Sequence, residues 1–236
     1  MSRFHDDSTA ASDPVKIHLS RRMMRRHWPP GFFFKLTPLW RRFEAMVAEH
    51  IQFGDSRAAI VVGLNPLLVA AFTDELDAVT ILRYPDSVAE DHHSSVGDRL
   101  LTVNTYIRGN TIVADITPGS LAYQRYVNYF PIIAEFISTD RDRIELRKAN
   151  IDEQEWQRCQ AMADEYLANF PGQLRDGSPL LSQEPSPGAR KVWPRLPPSS
   201  PSTRGTRLVP RPPSDDSLPP PPPAPSAPTP PPPRSD

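Results

Sequence analysis

Apolar residues recur at spacings of three and four near the start of the folded region, at Leu39, Trp40, Phe43, Val47 and Ile51. This spacing places them on one stripe of a helix, with charged residues on the opposite side. Thr37 can cap the helix, Pro38 suits its first position and Gly54 follows its end. The pattern therefore predicts an amphipathic helix over 38–53 that packs against a core.

From residue 57 the pattern changes to short, β-branched or apolar runs, at 59–62, 67–72, 78–84, 100–107 and 111–117. Arg108-Gly109-Asn110 is a hairpin signal, because glycine and asparagine accept positive φ. Apart from the polar loop 85–98, the connections are too short for crossover helices, which favours antiparallel neighbours. The sequence predicts a meander of about five antiparallel strands. A helix over 66–76 remains an alternative, because short apolar runs are ambiguous.

The pattern becomes helical again after the predicted strands. Helical segments are predicted over 131–136 and about 140–148, and a clearer helix starts after Asp152 and ends at Pro171-Gly172. The apolar stripe of that last helix holds Trp156, Cys159, Ala163, Tyr166, Leu167 and Phe170. Together these elements predict a single α+β domain over 36–170, in which the helices cover one face of the sheet.

The last 66 residues hold 22 of the chain's 30 prolines. Proline has no backbone donor and a fixed φ, so the sequence predicts a disordered, proline-rich tail over 171–236; the polar residues 1–15 are predicted to be disordered as well. The tail contains two matches to a basic-x-x-Pro-x-x-Pro pattern, which polyproline-binding domains recognise. The candidate partner-docking residues are Arg195, Pro198, Pro201, Arg207, Pro210 and Pro213. Because one tail residue in three is proline, chance matches are expected, and a passive linker or solubility tail is favoured over a docking site.

Charge is segregated along the chain: +6 over residues 1–43, −10 over 44–170 and +3 over 171–236. An acidic central domain argues against a nucleic-acid-binding core, which needs a basic face. Residues 16–35 are predicted to form a basic and aromatic arm that docks on the domain. Its basic patch consists of Arg21, Arg22, Arg25 and Arg26. Binding of this patch to anionic lipid or nucleic acid is the less favoured alternative.

Several residues could carry chemistry, but none forms a recognisable catalytic motif. Asp91-His92-His93 lies in a polar loop without further ligands at metal-binding spacing, and Cys159 lies on a buried stripe. Asp74, Glu75 and Asp77 are expected to form the solvated tip of a hairpin. Arg83, Asp115 and Arg125 suit an internal ion pair or a ligand contact. No metal and no cofactor is predicted.

The expected function is therefore that of a non-enzymatic binding or adaptor protein, with a protein partner on the tail or on the folded domain. The alternative is a small enzyme or ligand-binding domain with a pocket between sheet and helices. The candidate pocket residues are Tyr123, Arg125, Tyr126 and Tyr129, since aromatic and cationic groups can hold a planar or anionic ligand. The longest apolar stretch, 58–72, has only 15 residues, against about 20 for a membrane span. A cytoplasmic protein is expected, and its oligomeric state stays open.

Overall fold

The computed structural model describes residues 15–29 and 38–179, which form an α+β fold, as predicted. The helices are α1 (Arg21–His27), α2 (Pro38–Phe53), α3 (Asp86–His92), α4 (Arg141–Lys148) and α5 (Glu153–Asn169). The strands are β1 (Asp55–Gly63), β2 (Leu67–Thr73), β3 (Ala78–Tyr84), β4 (Arg99–Ile107), β5 (Asn128–Ile133) and β6 (Arg175–Asp176). A short 3-10 turn, Ala134–Phe136, follows β5. No helix in the described part of the chain is long and apolar enough to cross a membrane.

The six strands form one sheet in the order β5-β4-β1-β2-β3-β6. Strands β1 to β3 are joined by the two predicted hairpins, and every pairing is antiparallel except that of β3 with the two-residue β6. Strand β4 does not continue the meander beside β3 but returns to pair with β1. The chain can make this return because the predicted polar loop 85–98 contains helix α3.

The predicted fifth strand was misplaced. Residues 111–117 lie in the long connection between β4 and β5, so the predicted hairpin at Arg108-Gly109-Asn110 is wrong. Strand β5 takes up the first half of the helix predicted over 131–136, and the second half forms the 3-10 turn. Pro131 pairs opposite Asn104 in β5, and a proline is tolerated there because β5 is an edge strand. The helical alternative for 66–76 is also wrong. Strand β2 is buried along both faces, which removes the alternation that would have identified it.

Helices cover both faces of the sheet rather than one. Val61, Val69, Leu82 and Val103 pack with apolar residues of α1, α2 and α4. The neighbouring residues in the strands point the other way and pack against α5, as Ile60, Ala70, Phe72 and Ile81 do with Trp156, Cys159, Ala163 and Tyr166. Because both faces of the sheet are buried, its strands appear in the sequence as continuous apolar runs. Such runs do not indicate that a second layer of helix covers the other face.

Buried residues also occur outside the predicted domain boundaries at 36 and 170. Met24 of α1 is fully buried in the core while the arginines around it point outward, so residues 16–29 belong to the domain. At the other end, Arg175 of β6 is also fully buried. Residues 1–14, 30–37 and 180–236 lie outside the described residues, as do all the predicted docking residues from Arg195 to Pro213.

A buried arginine of β6 forms an ion pair and also links the two outermost strands of the sheet. Arg175 donates from Nε and Nη2 to the carboxylate of Asp115, and both side chains are completely buried. Its Nη1 donates to the backbone oxygen of Tyr129 in β5, at 2.9 Å. Since β6 and β5 are the outermost strands, this arginine links the two edges and the sheet must curl to allow it. Asp115 was singled out in the sequence, whereas Arg175 was placed in the tail.

His50 on the inner face of α2 makes the stability of the fold sensitive to acid. Its Nε2 donates to the backbone oxygen of Val103 at 2.8 Å, and burial lowers its pKa to about 4. A histidine with a lowered folded pKa contributes stability above its unfolded pKa, near 6.5, and loses it as the pH falls through the folded value.

We therefore expect the free energy of unfolding to lose about 3 kcal/mol from His50 between pH 7 and pH 4. Urea titrations of the wild type and of His50→Gln at pH 7 and pH 4 measure this, and the variant should lack that part of the acid loss. His18→Gln, at a largely exposed side chain, is the matched control. An equal acid loss in wild type and His50→Gln would contradict the assignment.

Candidate functional site

Five aromatic rings contact one another in a closed chain at the end of the sheet where β3 terminates. We call them the ring cluster: His27, Trp28, Tyr84, Phe136 and His92, with successive ring centroids 5.6, 6.2, 4.8, 5.0 and 5.4 Å apart back to His27. Helix α1 and the residue that caps its end supply two of the rings, and β3, the 3-10 turn and α3 supply one each. Four separate segments of the chain are thus locked together at this point.

Residues of the ring cluster line two cavities. The larger, which we call the β3–β6 cleft, has a volume of about 730 Å³ and includes His27, Trp28 and Tyr84 in its wall. The smaller, of about 390 Å³, is lined by His92 and Phe136 together with polar residues of α4 and the preceding loop. The five rings of the cluster are therefore divided between the walls of two accessible spaces.

The β3–β6 cleft combines an apolar wall with a charged rim. Trp28 and Leu174 supply apolar surface, and the exposed Arg83, Asp86 and Asp176 supply both signs of charge. Arg83 was singled out in the sequence as an interruption of an apolar strand. Its position at the mouth of a cleft fits the ligand contact that was one of the two roles expected of it.

Tyr84 brings an unsatisfied polar group to the wall of the cleft. Its side chain is 2% exposed, and its hydroxyl has no hydrogen-bond partner among the described residues. Burial raises the pKa of Tyr84 well above its ordinary value, so the phenol stays protonated. Gly177 lies over the ring so closely that a Cβ there would approach it to 2.4 Å. A buried hydroxyl without a partner is unusual and calls for an explanation.

The opposite end of the strands holds a second polar cluster, the Arg57 network. The Arg57 guanidinium contacts Asp55 Oδ2 at 2.8 Å, Asp74 Oδ2 at 2.7 Å and Glu155 Oε2 at 3.3 Å. The hydroxyl of Tyr106 also donates to Asp55 Oδ2, at 2.8 Å. One cation thus faces three carboxylates, and the group has a surplus of negative charge.

This surplus changes how the buried carboxyl groups titrate. Burial raises the pKa of Asp55 to about 6, against the opposing effect of Arg57, and raises that of Glu75 to about 7 although Arg125 Nη2 donates to its Oε1 at 2.6 Å. Asp74 Oδ1 and Glu75 Oε2 are buried and have no hydrogen-bond partner among the residues that the structure describes. No set of three or more His, Cys, Asp or Glu residues is placed to hold a metal in the part of the chain that the structure describes.

The predicted solvated hairpin tip at Asp74, Glu75 and Asp77 is therefore wrong. Glu75 and Asp77 are 4% and 1% exposed, and Asp77 accepts two hydrogen bonds from Arg158, both at 2.6 Å. The reason is the long β4–β5 connection, which folds over the turn: Leu121 donates its backbone N–H to Asp77, and Tyr123 donates to the backbone oxygen of Glu75. A turn that looks solvated in sequence becomes buried by a distant segment.

The four predicted pocket residues lie outside the β3–β6 cleft and differ in their burial. Tyr123 is half exposed, and Arg125 lies over its ring at 5.1 Å while pairing with Glu75. Tyr126 and Tyr129 are buried among apolar side chains, and the Tyr129 hydroxyl donates to the backbone oxygen of Ala71 at 2.6 Å. The structure thus brings Tyr123 and Arg125 together at the surface, and none of the four residues lines the β3–β6 cleft.

Three of the four arginines of the predicted basic patch face acids of the fold. Arg21 and Arg25 contact Glu44 of α2 at 3.4 and 2.5 Å, and Arg26 pairs with Asp91 of α3. Arg22 is exposed. Much of the positive charge of this patch is therefore balanced by the domain itself.

The sequence missed most of the ring cluster. His92 belongs to the triplet that was placed in a solvated loop, yet it ends α3 with its ring against His27 and Phe136. A buried Val88 one turn earlier is the only local signal that this segment packs inward.

Cys159 lies buried on the stripe of α5, as predicted, and burial raises the pKa of its thiol. Comparison with protein-family models, curated proteins and solved structures gives no match.

Proposed function

We propose that the folded domain is a binding protein for a small amphipathic ligand, which occupies the β3–β6 cleft. The observation that carries this proposal is the cleft itself: about 730 Å³, within the range of about 300–1,000 Å³ typical of ligand pockets, with an apolar wall and a few polar groups. The binding role follows the expectation from sequence, but the site differs from the one at Tyr123 to Tyr129.

The lining supports a ligand with an apolar body and charges of both signs. Trp28 and Leu174 can contact the apolar part, and Arg83 can pair with an acidic group at the rim. Asp86 and Asp176 can receive a basic group in the same way. A short peptide or an aromatic amino-acid derivative has all of these features.

Partner docking through the tail stays a prediction from sequence, because the residues concerned lie outside the described part of the chain. It is compatible with the cleft proposal, since the two sites use different residues. The single cysteine is compatible with a reducing compartment, and we propose that the protein acts in the cytoplasm.

The cleft proposal predicts which variants lose binding. In a ligand-observed NMR screen of short peptides and aromatic amino-acid derivatives, the wild type should bind members of the library. Leu174→Trp should abolish that binding by filling the cleft, and Arg83→Ala should weaken binding of the acidic members by about tenfold, the effect of one lost charge-assisted hydrogen bond.

Arg22→Ala is the matched control, because Arg22 is an exposed arginine that does not line the cleft. It should bind like the wild type. If the whole library fails to bind, or if Leu174→Trp binds as well as the wild type, the cleft is not the site.

A further inference from the structure

Within the ring cluster, two histidines meet through their Nε2 atoms. His27 ends α1 and His92 ends α3, 65 residues later, and their Nε2 atoms are 3.3 Å apart. The His27 side chain is 2% exposed, so its ring is held by packing and not free to turn away. Two ring nitrogens from different segments thus converge on one point.

This separation matches that of two ligands of one tetrahedral metal ion. Zinc–histidine bonds are about 2.0–2.1 Å long, and two such bonds at the tetrahedral angle place their nitrogens ~3.3 Å apart. We propose that His27 and His92 form a two-histidine site for a divalent transition-metal ion of the zinc type. This inference does not depend on the proposed ligand of the β3–β6 cleft.

A carboxylate lies near the far nitrogen of one of the two rings. Asp91 Oδ2 is 3.7 Å from His27 Nδ1, a distance at which the two groups attract each other without a direct hydrogen bond. A carboxylate on that side of a ligating histidine favours the tautomer that carries its proton on Nδ1 and leaves Nε2 open.

The surroundings leave room for further ligands from solvent. Since the described residues contain no set of three metal ligands, the ion would keep open positions. Water would complete the coordination, and both rings border accessible space, since His27 lines the larger cavity and His92 the smaller. Trp28, Tyr84 and Phe136 form an apolar surround, which restricts the approach of solvent from other directions.

Metal binding replaces a hydrogen bond that the two rings can otherwise share. Without metal, an Nε2–H on one ring can donate to the Nε2 lone pair of the other at 3.3 Å. When the ion binds, that ring gives up its proton at Nε2 and takes one from solvent at Nδ1, so both rings are neutral and both Nε2 lone pairs go to the metal. The ring that carries the proton on Nδ1 keeps it, and the metal is not reduced or oxidised.

The test is a titration of the full chain with zinc ions alone after treatment with a chelator. Long-range ¹H–¹⁵N spectra of the histidine rings should show two Nε2 resonances shifting together, with saturation at one zinc per chain, and isothermal titration calorimetry should give the same stoichiometry. No saturable shift of a histidine pair in the wild type would overturn the proposal, whatever the variants do.

Substitutions then test whether His27 and His92 are the two histidines that bind zinc. His27→Gln and His92→Gln should each lower zinc affinity at least tenfold, and Asp91→Asn should lower it about tenfold by loosening His27. His93→Asn is the matched control, because His93 adjoins His92 with a left-handed backbone that asparagine accepts. It should bind zinc like the wild type. Equal loss in His93→Asn, or full affinity in both glutamine variants, would contradict the site.

Discussion

A chain that ends at residue 171 will be about 3–5 kcal/mol less stable than one that ends at residue 179, the loss expected when one partner of a buried ion pair is removed. The shorter chain lacks Arg175, which leaves the fully buried carboxylate of Asp115 without its cation. It also lacks β6, so β3 loses its outer neighbour in the sheet. The hydrogen bond from Arg175 to the backbone oxygen of Tyr129 is lost as well. Urea unfolding of the two truncated proteins measures the difference.

Point variants separate the ion pair from the loss of the segment. In the full chain, Arg175→Met should reproduce most of the destabilisation, and adding Asp115→Leu should recover part of it, because no buried charge is then left unpaired. Asp176→Asn, at an exposed side chain beside Arg175, should have little effect. Equal stability of the two truncated chains would show that β6 contributes nothing to the fold.

Arg57→Met will destabilise the protein by about 3 kcal/mol at pH 8, and by clearly less at pH 5. Removing the guanidinium leaves the carboxylates of Asp55, Asp74 and Glu155 facing one another in a largely buried site. Burial already raises the pKa values of Asp55 and Glu155, and they rise further without the cation, so the network takes up protons as the pH falls. A carboxyl group with a raised folded pKa contributes stability that is complete below its unfolded pKa and is lost as the pH rises through the folded value.

Urea titrations at pH 5 and pH 8 test this expectation. The control is Arg99→Met, which removes an arginine from an exposed pair with Glu153 and should change stability little at either pH. If Arg57→Met lowers the free energy of unfolding by the same amount at pH 5 and pH 8, the network does not titrate as its geometry requires.

The helical parts of the fold could be predicted because their signal is local. Helices α2 and α5 show uninterrupted apolar stripes, with Pro38 and Asp152 at their starts. Strand β5 could not be found in the same way, because its Pro131 and its aromatic residues resemble a helical or irregular segment until β4 lies beside it. Residues 175–176 form a strand only because β3 offers an open edge, and nothing near them in the sequence shows this.

The candidate site was hidden for the same reason. The ring cluster joins residues 27–28, 84, 92 and 136, none of which forms a motif with its own neighbours. The acids at Asp74, Glu75 and Asp77 did form a visible group, but their burial depends on the connection between β4 and β5. Local sequence therefore identified several of the charged residues and could not tell which of them are inside.

The measurement that tests the central claim most directly is the location of the bound ligand. Backbone amide shifts of ¹⁵N-labelled protein, recorded with the strongest binder from the screen, give that location residue by residue. The account predicts shifts at 27–28, 83–86 and 172–178, around the β3–β6 cleft. Shifts confined to Tyr123 and Arg125, or to the Arg57 network at the other end of the strands, would contradict it.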